Sequence, residues 1–243
     1  MFKVGILIPT TTNNRNWKTM KETYLYKFFM KSFLNTYCKQ HSYTIYLGID
    51  SNDKIYKKKG ELEEIKRFLL IMKNVTIKII SVDEIERGHV TKMWNKLHKQ
   101  AYEDGCDYFY QCGDDIEFLT KGWVTTSING LLKYNNKGLT GPLDKPRMEV
   151  GGKNSMPGGI RFIQTQSFVS RNHYETFGYF FPEEIKNWYC DDWITKTYFP
   201  NYFIILKDCF LKNSGGQPRY VPDNTEAPKI LYNLIIEARK KLL

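Results

Sequence analysis

The chain has 243 residues, and its 36 Lys and Arg against 26 Asp and Glu produce a formal net charge of +10. A content of 42% hydrophobic and 15% aromatic residues excludes a disordered tail or a charged linker. No apolar run approaches the roughly 18 residues of a membrane span, and the opening residues lack a signal-peptide cleavage pattern. The five cysteines show no CxxC spacing, which favours a reduced, cytoplasmic setting without a disulfide framework or a zinc site.

The first half of the chain alternates strand-like and helix-like patterns. Short apolar, β-branched or aromatic runs at residues 2–9, 43–50, 75–82 and 106–112 predict four strands. Helical spacing of apolar side chains at residues 20–37, 62–72 and 90–104 predicts a helix between each pair. Such βαβ units imply a mainly parallel sheet, in which ligands bind beyond the carboxyl ends of the strands.

The second half has a different rhythm. Residues 122–134 and 229–242 have helical patterns, and residues 138–142 and 161–170 are typical of strands. Residues 144–159 contain too many Gly and Pro for a regular element, so we expect a lid or binding loop there. We predict one domain over residues 1–243, with a nucleotide-binding half at about 1–118, a second half at about 119–225 and a closing helix at 226–243.

The strongest chemical signal lies in the stretch CDYFYQCGDDIEF, where a predicted strand runs into Gly113-Asp114-Asp115. Two adjacent carboxylates repel each other unless a cation lies beside them, and hard divalent ions prefer oxygen ligands. Gly113 would let the backbone approach a ligand closely. The alternative is an ordinary turn, for which this tripeptide is also well suited. Because other polar loops converge on the same sheet edge, we favour a functional site.

A second acidic pair, Asp191 and Asp192, lies among aromatic residues that include Trp188 and Trp193. Aromatic planes beside a carboxylate suit a sugar, because apolar sugar faces stack on rings while the acid takes a hydroxyl proton. Burial against rings would raise the pKa of such an acid towards the range of a general base. Alternatively, an aspartate here simply caps a helix whose aromatic residues belong to the core.

Polar residues at other predicted strand ends are weaker candidates. Pro9, Thr10 and Thr11 follow the first strand and could bind a nucleotide, or could form an ordinary turn. Asp50 ends the second strand, where an acid could hold a ribose or a base edge. Asn95 lies on the helix before the Gly-Asp-Asp strand, and it reaches a ligand only if its helix face points to that edge.

The assembled pattern resembles the GT-A glycosyltransferases, in a sub-group seen in protists and giant viruses. The matching stretches are ILIPTTTNNR, YLGIDSND, MWNKLHKQAYEDGCDYFYQCGDDIEF, GLTGPLD and TQSFVSRNHYETFGYFFPEEIKNWYCDDWI. The resemblance implies a Rossmann-like, mainly parallel α/β sheet flanked by helices, with a smaller acceptor-binding half. It also implies a viral protein in the host cytoplasm.

The same resemblance assigns roles to the two acidic pairs. Gly113-Asp114-Asp115 is similar to the Asp-x-Asp motif, which implies that Asp115 ligates Mn²⁺ or Mg²⁺ and Asp114 faces the ribose or the donor sugar. Asp192 would be the catalytic base beside Asp191, with Trp188 and Trp193 on the acceptor side. The chain departs from the family in having Gly113 at the first motif position and no His after His173.

The remaining implied roles concern substrates and the second metal ligand. Pro9, Thr10, Thr11, Asp50 and Asn95 fall where the family contacts the nucleotide, and Asp208, Asn213 or water would replace the missing histidine ligand. The implied reaction is transfer of a hexosyl or N-acetylhexosaminyl group from a UDP-sugar to a hydroxyl on a glycan or glycoprotein.

Two further hypotheses remain open. A non-catalytic module of the same fold would bind nucleotide sugars or glycans without turnover. Gly-Asp-Asp also resembles an RNA polymerase motif, but 243 residues leave little room for the other polymerase parts. We expect no nucleic-acid partner, because the aromatic residues lie beside acids rather than in a basic stripe.

Overall fold

The first four strands form a parallel sheet in the computed structural model, which describes residues 1–149, 163–215 and 220–243. These strands are β1 (Lys3–Pro9), β2 (Ser42–Ile49), β3 (Val75–Ser81) and β4 (Tyr108–Gln111). They lie in the order β3-β2-β1-β4, and every neighbouring pair is parallel. The predicted βαβ arrangement of the first half is therefore confirmed.

Two strands from the second half of the chain extend this sheet beyond β4, and the one next to β4 runs antiparallel to it. Among the nine strands of the described residues, β6 is Leu139–Thr140 and β8 is Phe168–Ser170. β8 pairs antiparallel with both β4 and β6, which completes a six-stranded sheet in the order β3-β2-β1-β4-β8-β6. The strand predicted for residues 161–170 is thus shorter, and its first two residues lie outside the described part.

Helices cover both faces of the sheet. In β1, Val4, Ile6 and Ile8 point into one apolar core, and Leu7 points into the other. On the Leu7 face, α3 packs so closely that a Cβ at Gly5 would lie 3.0 Å from Ala101 Cβ. The helices are α1 (Lys31–Thr36), α2 (Glu61–Ile71), α3 (Val90–Glu103), α4 (Trp123–Leu132), α5 (Lys145–Glu149), α6 (Arg171–Phe177), α7 (Cys190–Tyr198) and α8 (Ala227–Leu242). A 3-10 turn at Met20–Glu22 and a π-helical segment at Leu25–Met30 precede α1.

A second, smaller sheet was not predicted. It contains β5 (Ile116–Phe118), β7 (Leu143–Asp144) and β9 (Phe210–Asn213) in the order β5-β9-β7. β9 pairs antiparallel with β5 and parallel with β7. Because β5 begins directly after Asp115, this sheet joins the acidic tip of β4 to two later parts of the chain.

The prediction of a loop over residues 144–159 is wrong for its first residues. Residues 145–149 form α5. Pro146 does not prevent this helix, because a proline is tolerated in the first turn. Residues 150–159 of that prediction lie outside the described residues. No helix in the described ranges is long and apolar enough to cross a membrane.

Candidate active site

The tip of β4 is tied to the loop after β1. Asp114 is completely buried, and its carboxylate accepts a hydrogen bond of 2.6 Å from the Thr10 hydroxyl. Because that hydroxyl donates to Asp114, the Tyr56 hydroxyl donates to Thr10, at 2.8 Å. Gly113 is held from the other side, where its N–H donates to Gln166 Oε1 at 3.1 Å. The structure therefore brings Thr10, at the end of β1, directly to the Gly-Asp-Asp tip.

Asp115 lies between two glycines. A Cβ at Gly113 would lie 2.5 Å from Asp115 Oδ1, and a Cβ at Gly215 would lie 2.6 Å from Asp115 Cγ. The pairing of β5 with β9 delivers Gly215 to this position, since Ser214 N donates to the Asp115 carbonyl at 2.9 Å. Side chains larger than glycine at either position would displace the carboxylate. The sequence pointed to Gly113, whereas Gly215 became visible only with the small sheet.

A divalent cation held by Asp115 would have to complete its shell with substrate oxygens and water. Mg²⁺ is commonly bound by one or two carboxylates together with phosphates and water. Within residues 1–149, 163–215 and 220–243, no group of three or more His, Cys, Asp and Glu could hold a metal by itself. Asn213 pairs with Ile116, the residue after Asp115, and its Oδ1 accepts the N–H of Gly215 at 3.1 Å, whereas Asp208 precedes the other end of β9.

Asp53 organises the loop after β1 and was missed by sequence reasoning. Its buried carboxylate accepts hydrogen bonds from Thr12 N and Thr12 Oγ1, both at 2.6 Å, and from Ile55 N and Tyr56 N, both at 3.0 Å. Thr11 Oγ1 also donates to it, at 3.2 Å. This carboxylate thereby holds the two loops after β1 and β2 together. The available signal was its position in the polar SND segment that follows β2.

Asp50 lies at the same sheet edge, partly buried at the end of β2. Burial raises the pKa of its carboxyl group, and Asp83 and Asp53 add to the rise, whereas Arg87 opposes it. Pro9 occupies the last position of β1, opposite Gly48 of β2. The predicted convergence of the strand ends is therefore present in the structure, although no ligand contact follows from it alone.

A cleft of about 580 Å³ opens beside these loops. Three cations, Arg15, Arg87 and Lys186, belong to its lining, and Lys186 pairs with Glu86 at 3.3 Å. Such a charge balance suits an anionic ligand with phosphate groups. None of the sequence-predicted site residues is among its described lining, which consists of Asn14, Arg15, Glu86, Arg87, Gly88, Lys186, Asn187, Tyr220, Val221 and Asp223.

Asn187 joins three segments around that cleft. Its side-chain amide nitrogen donates to Gly88 O at 3.0 Å and to Val221 O at 3.2 Å. Its side-chain oxygen accepts from Trp188 N at 2.7 Å and from Asp223 N at 2.9 Å. Asn187 is only 4% exposed, and sequence reasoning did not select it. A single buried amide thus fixes the loop after β3, the segment before α7 and the segment before α8.

The second acidic pair lies in the first turn of α7. Burial and the neighbouring Asp192 raise the pKa of Asp191 to about 6, and Arg147 opposes this rise. Burial also raises the pKa of Asp192, against the opposing effects of Lys196, whose ammonium lies 3.3 Å away, and of Arg147. Asp191 Oδ1 accepts the N–H of Asp192 at 3.0 Å. Two carboxylates in such surroundings are suited to accepting a proton near neutral pH.

The structure corrects two of the predicted site residues. The Trp193 side chain is completely buried, and its indole N–H donates to Leu234 O at 3.3 Å, so its ring belongs to the core and cannot stack on an acceptor. Asn95 is also buried, and its amide binds the backbone of Phe180 and Phe181 through three hydrogen bonds of 2.8–3.0 Å. It therefore stabilises that segment rather than facing a nucleotide. Trp188, in contrast, is 43% exposed and lies three residues before Asp191 in the sequence.

The six-stranded, mainly parallel sheet with helices on both faces is the predicted α/β architecture of the GT-A type. Structures of Staphylococcus aureus TarS share it: a complex of residues 1–349 with UDP-GlcNAc has a TM-score of 0.62 at 13% identity, covering 98% of this chain and 66% of that one. A complex with UDP has a TM-score of 0.60 at 14% identity, covering 97% and 65%.

A further TarS structure has a TM-score of 0.58 at 15% identity and covers 96% of this chain. The present chain spans 39% of the length of that structure and 65–66% of the 1–349 structures. No family model and no curated protein matches the sequence. At identities this low, the fold is what the likeness establishes.

Proposed function

We propose that the chain is a nucleotide-sugar glycosyltransferase that transfers a sugar from a UDP-sugar to a hydroxyl group. One observation carries this proposal: the chain shares its fold, over 98% of its length, with a protein whose structure holds UDP-GlcNAc. The Gly-Asp-Asp tip and a cleft with three cations lie at or beside the carboxyl edge of that fold, and the second acidic pair lies in the first turn of α7.

In the proposed reaction, Asp192 accepts the proton of an acceptor hydroxyl, as the resemblance implies. The hydroxyl oxygen then forms a bond to the anomeric carbon of the donor sugar while the bond from that carbon to the diphosphate breaks. The diphosphate leaves with the electron pair. Positioned general-base catalysis of this kind is typically worth about 10²–10⁴-fold. Asp191, whose pKa is raised to about 6, would share in holding the proton.

Asp115 would hold Mn²⁺ or Mg²⁺, with Asn213, which pairs with the next residue, Ile116, as a candidate second ligand. A divalent cation bound there would offset the negative charge that develops on the leaving diphosphate. Asp114 is held in place by Thr10, and we expect it to face the ribose or the donor sugar. Trp188, which is 43% exposed and three residues before Asp191 in the sequence, would stack on a glycan acceptor.

The test measures release of nucleoside diphosphate from a panel of nucleotide sugars, with and without Mn²⁺. We expect a UDP-sugar to be turned over in a metal-dependent manner, and Asp115→Ala to abolish that turnover. Asn213→Ala and Asp208→Ala form a matched pair, because these residues lie at opposite ends of β9; only the first should raise the Mn²⁺ concentration required. Wild-type rates in Asp115→Ala would reject the assignment of the metal site.

Asp192→Asn tests the base separately, because the amide keeps the size of the side chain and removes its basicity. This variant should still bind the donor, as measured by calorimetry, and should lose transfer. An active Asp192→Asn variant would remove Asp192 from the base role. Loss of transfer in Asp191→Asn alone would assign that role to Asp191 instead.

A second candidate function is a module that binds nucleotide sugars or glycans without turnover. The departure at Gly113 and the lack of a self-sufficient metal-ligand group in the described residues favour it. The two functions differ in one measurable respect. Donor binding in calorimetry without any release of nucleoside diphosphate would support the binding module, and turnover would exclude it.

A further inference from the structure

Gln166 contacts the Gly-Asp-Asp tip from the segment before β8. Its Oε1 accepts a hydrogen bond from the N–H of Gly113 at 3.1 Å. Because a backbone N–H can only donate, the atom that faces it is the amide oxygen, and this contact fixes the orientation of the planar carboxamide. The nitrogen of the same amide, with its two N–H donors, therefore lies beside Gly113 as well.

The amide nitrogen of Gln166 has no acceptor within the part of the chain that the structure describes. The hydrogen bonds of Gln166 there are those of the Gly113 N–H to its Oε1 and of the Gln164 amide to its carbonyl. Gln166 is only 7% exposed, and a polar group in such surroundings costs free energy unless it has a hydrogen-bond partner. Because ligands of parallel sheets bind beyond the carboxyl ends of the strands, a ligand oxygen at this tip can accept from Gln166 Nε2.

Gln164 holds the backbone of Gln166 in place. Its Nε2 donates to Gln166 O at 2.7 Å and to Pro142 O at 3.0 Å. Gly141 makes this packing possible, because a Cβ there would lie only 2.8 Å from Gln166 O and its φ of +142° favours glycine. Gln166 is thus fixed at its backbone and at its amide oxygen, which leaves its N–H donors preorganised for a ligand.

The same segment connects the tip to the helix that carries the second acidic pair. The backbone N–H of Gln164 donates to the Thr195 hydroxyl at 2.9 Å, and Thr195 lies in α7 one turn after Asp191. Hydrogen bonds of 2.7–3.1 Å therefore lead from Gly113 through Gln166 and Gln164 to α7. In the proposed reaction, the donor sugar lies between the diphosphate at the tip and the acceptor hydroxyl at α7. The Gln166 amide belongs to the segment that spans this interval.

We propose that Gln166 is a donor-binding residue, which donates a hydrogen bond from Nε2 to an oxygen of the sugar in the nucleotide-sugar donor. A neutral amide suits a hydroxyl or carbonyl oxygen of the sugar, whereas phosphate oxygens are bound preferentially by Arg, Lys and backbone N–H groups. The inference rests on the proposed glycosyltransferase function and adds to it a residue that recognises the sugar rather than the nucleotide.

The experiment compares Gln166→Glu and Gln166→Met with the wild type. A glutamate side chain keeps an oxygen for the Gly113 N–H and removes both N–H donors, whereas methionine removes the whole amide at similar length and adds no charge. Calorimetry in the presence of Mn²⁺ measures the Kd of UDP and the Kd of a UDP-sugar, taken as the one that the wild type binds most tightly. The ratio of these two constants isolates the contribution of the sugar, and UDP binding reports that each variant is folded.

In both variants, the ratio of the UDP Kd to the UDP-sugar Kd should fall by about 3- to 10-fold, the loss expected for one hydrogen bond. Gln100→Met is the matched control. Gln100 also donates through its amide, to Asp104 at 3.2 Å, but it lies in the last turns of α3, which lead to the amino end of β4. This variant should keep the wild-type ratio.

An unchanged ratio in Gln166→Glu and Gln166→Met would overturn the inference, even where both Kd values rise together. A fall in only one of the two would also overturn it, because the lost oxygen or the added charge, and not the N–H donors, would then be the cause. If the wild type turns over a UDP-sugar and the ratio is unchanged in the variants, the proposed function stands and only the role of Gln166 is rejected. A wild-type protein that binds no UDP-sugar would contradict both.

Discussion

The replacement Asn187→Ala removes four side-chain hydrogen bonds, three of which join Asn187 to other segments around the cleft. Each such bond contributes about 1 kcal/mol net to stability, so their loss lowers the free energy of unfolding by about 4 kcal/mol. For a chain of this size, about 2–4 °C of Tm corresponds to each kcal/mol, which predicts a decrease of roughly 8–16 °C. The expected decrease in Tm is large for a single substitution because Asn187 is buried, with only 4% of its surface exposed.

The assay is thermal unfolding followed by circular dichroism, with Asn172→Ala as the matched control. Asn172 donates through its amide to Asn135 O at 3.3 Å in an exposed position, so its replacement should change the free energy of unfolding by less than about 0.5 kcal/mol. Asn187→Asp keeps both acceptor contacts but sets a buried carboxylate oxygen against the carbonyls of Gly88 and Val221, so it should be at least as destabilising as Asn187→Ala. A Tm of Asn187→Ala within 2 °C, on the order of 1 kcal/mol, of the Asn172→Ala value would refute the assigned role.

Three further outcomes are expected. Gly215→Ala should displace the Asp115 carboxylate at a cost of about 1–3 kcal/mol, so UDP release should fall by roughly 5- to 150-fold. Normal turnover in this variant would contradict the close approach of Gly215 to Asp115. Trp193→Ala should lower the free energy of unfolding by about 3–5 kcal/mol in denaturant titrations, whereas Trp188→Ala should spare stability and raise the acceptor KM. Burial lowers the pKa of His98, and lowers that of His173 to about 4. The unfolded state therefore binds more protons, and Tm should fall as pH decreases from 6.5 towards 4, with a smaller slope in His98→Met.

The large elements could be predicted because their apolar patterns are local. In β1, the residues that alternate between the two cores are adjacent in the sequence, and their β-branched character marks a strand buried on both faces. The strands of the small sheet have two to four residues each, too few to show a period. Ile116 becomes a strand residue only because Asn213, distant in the sequence, pairs with it.

The candidate site likewise contains some residues that could be predicted from the sequence and others that could not. The two acidic pairs could be identified because adjacent aspartates at the end of a strand or the start of a helix are visible in the sequence. Trp188 and Trp193 could not be separated, because the burial of Trp193 depends on which side of α7 faces α8, to which it donates its indole N–H, whereas Trp188 precedes α7. Asp53 was missed because its importance lies in the five donors that converge on it.

The position of β8 in the main sheet has a consequence for dividing the molecule. β8 pairs with one edge of β4, although it comes from the second half of the chain. A fragment that stopped after residue 118 would leave that edge of β4 with unpaired N–H and C=O groups and would separate β5 from β9, its neighbour in the small sheet. Exposed strand edges of this kind promote aggregation. The amino-terminal half is therefore not expected to serve as a transplantable nucleotide-binding unit, and attempts to exchange halves between proteins of this fold should keep β8 and β9 with the strands they complete.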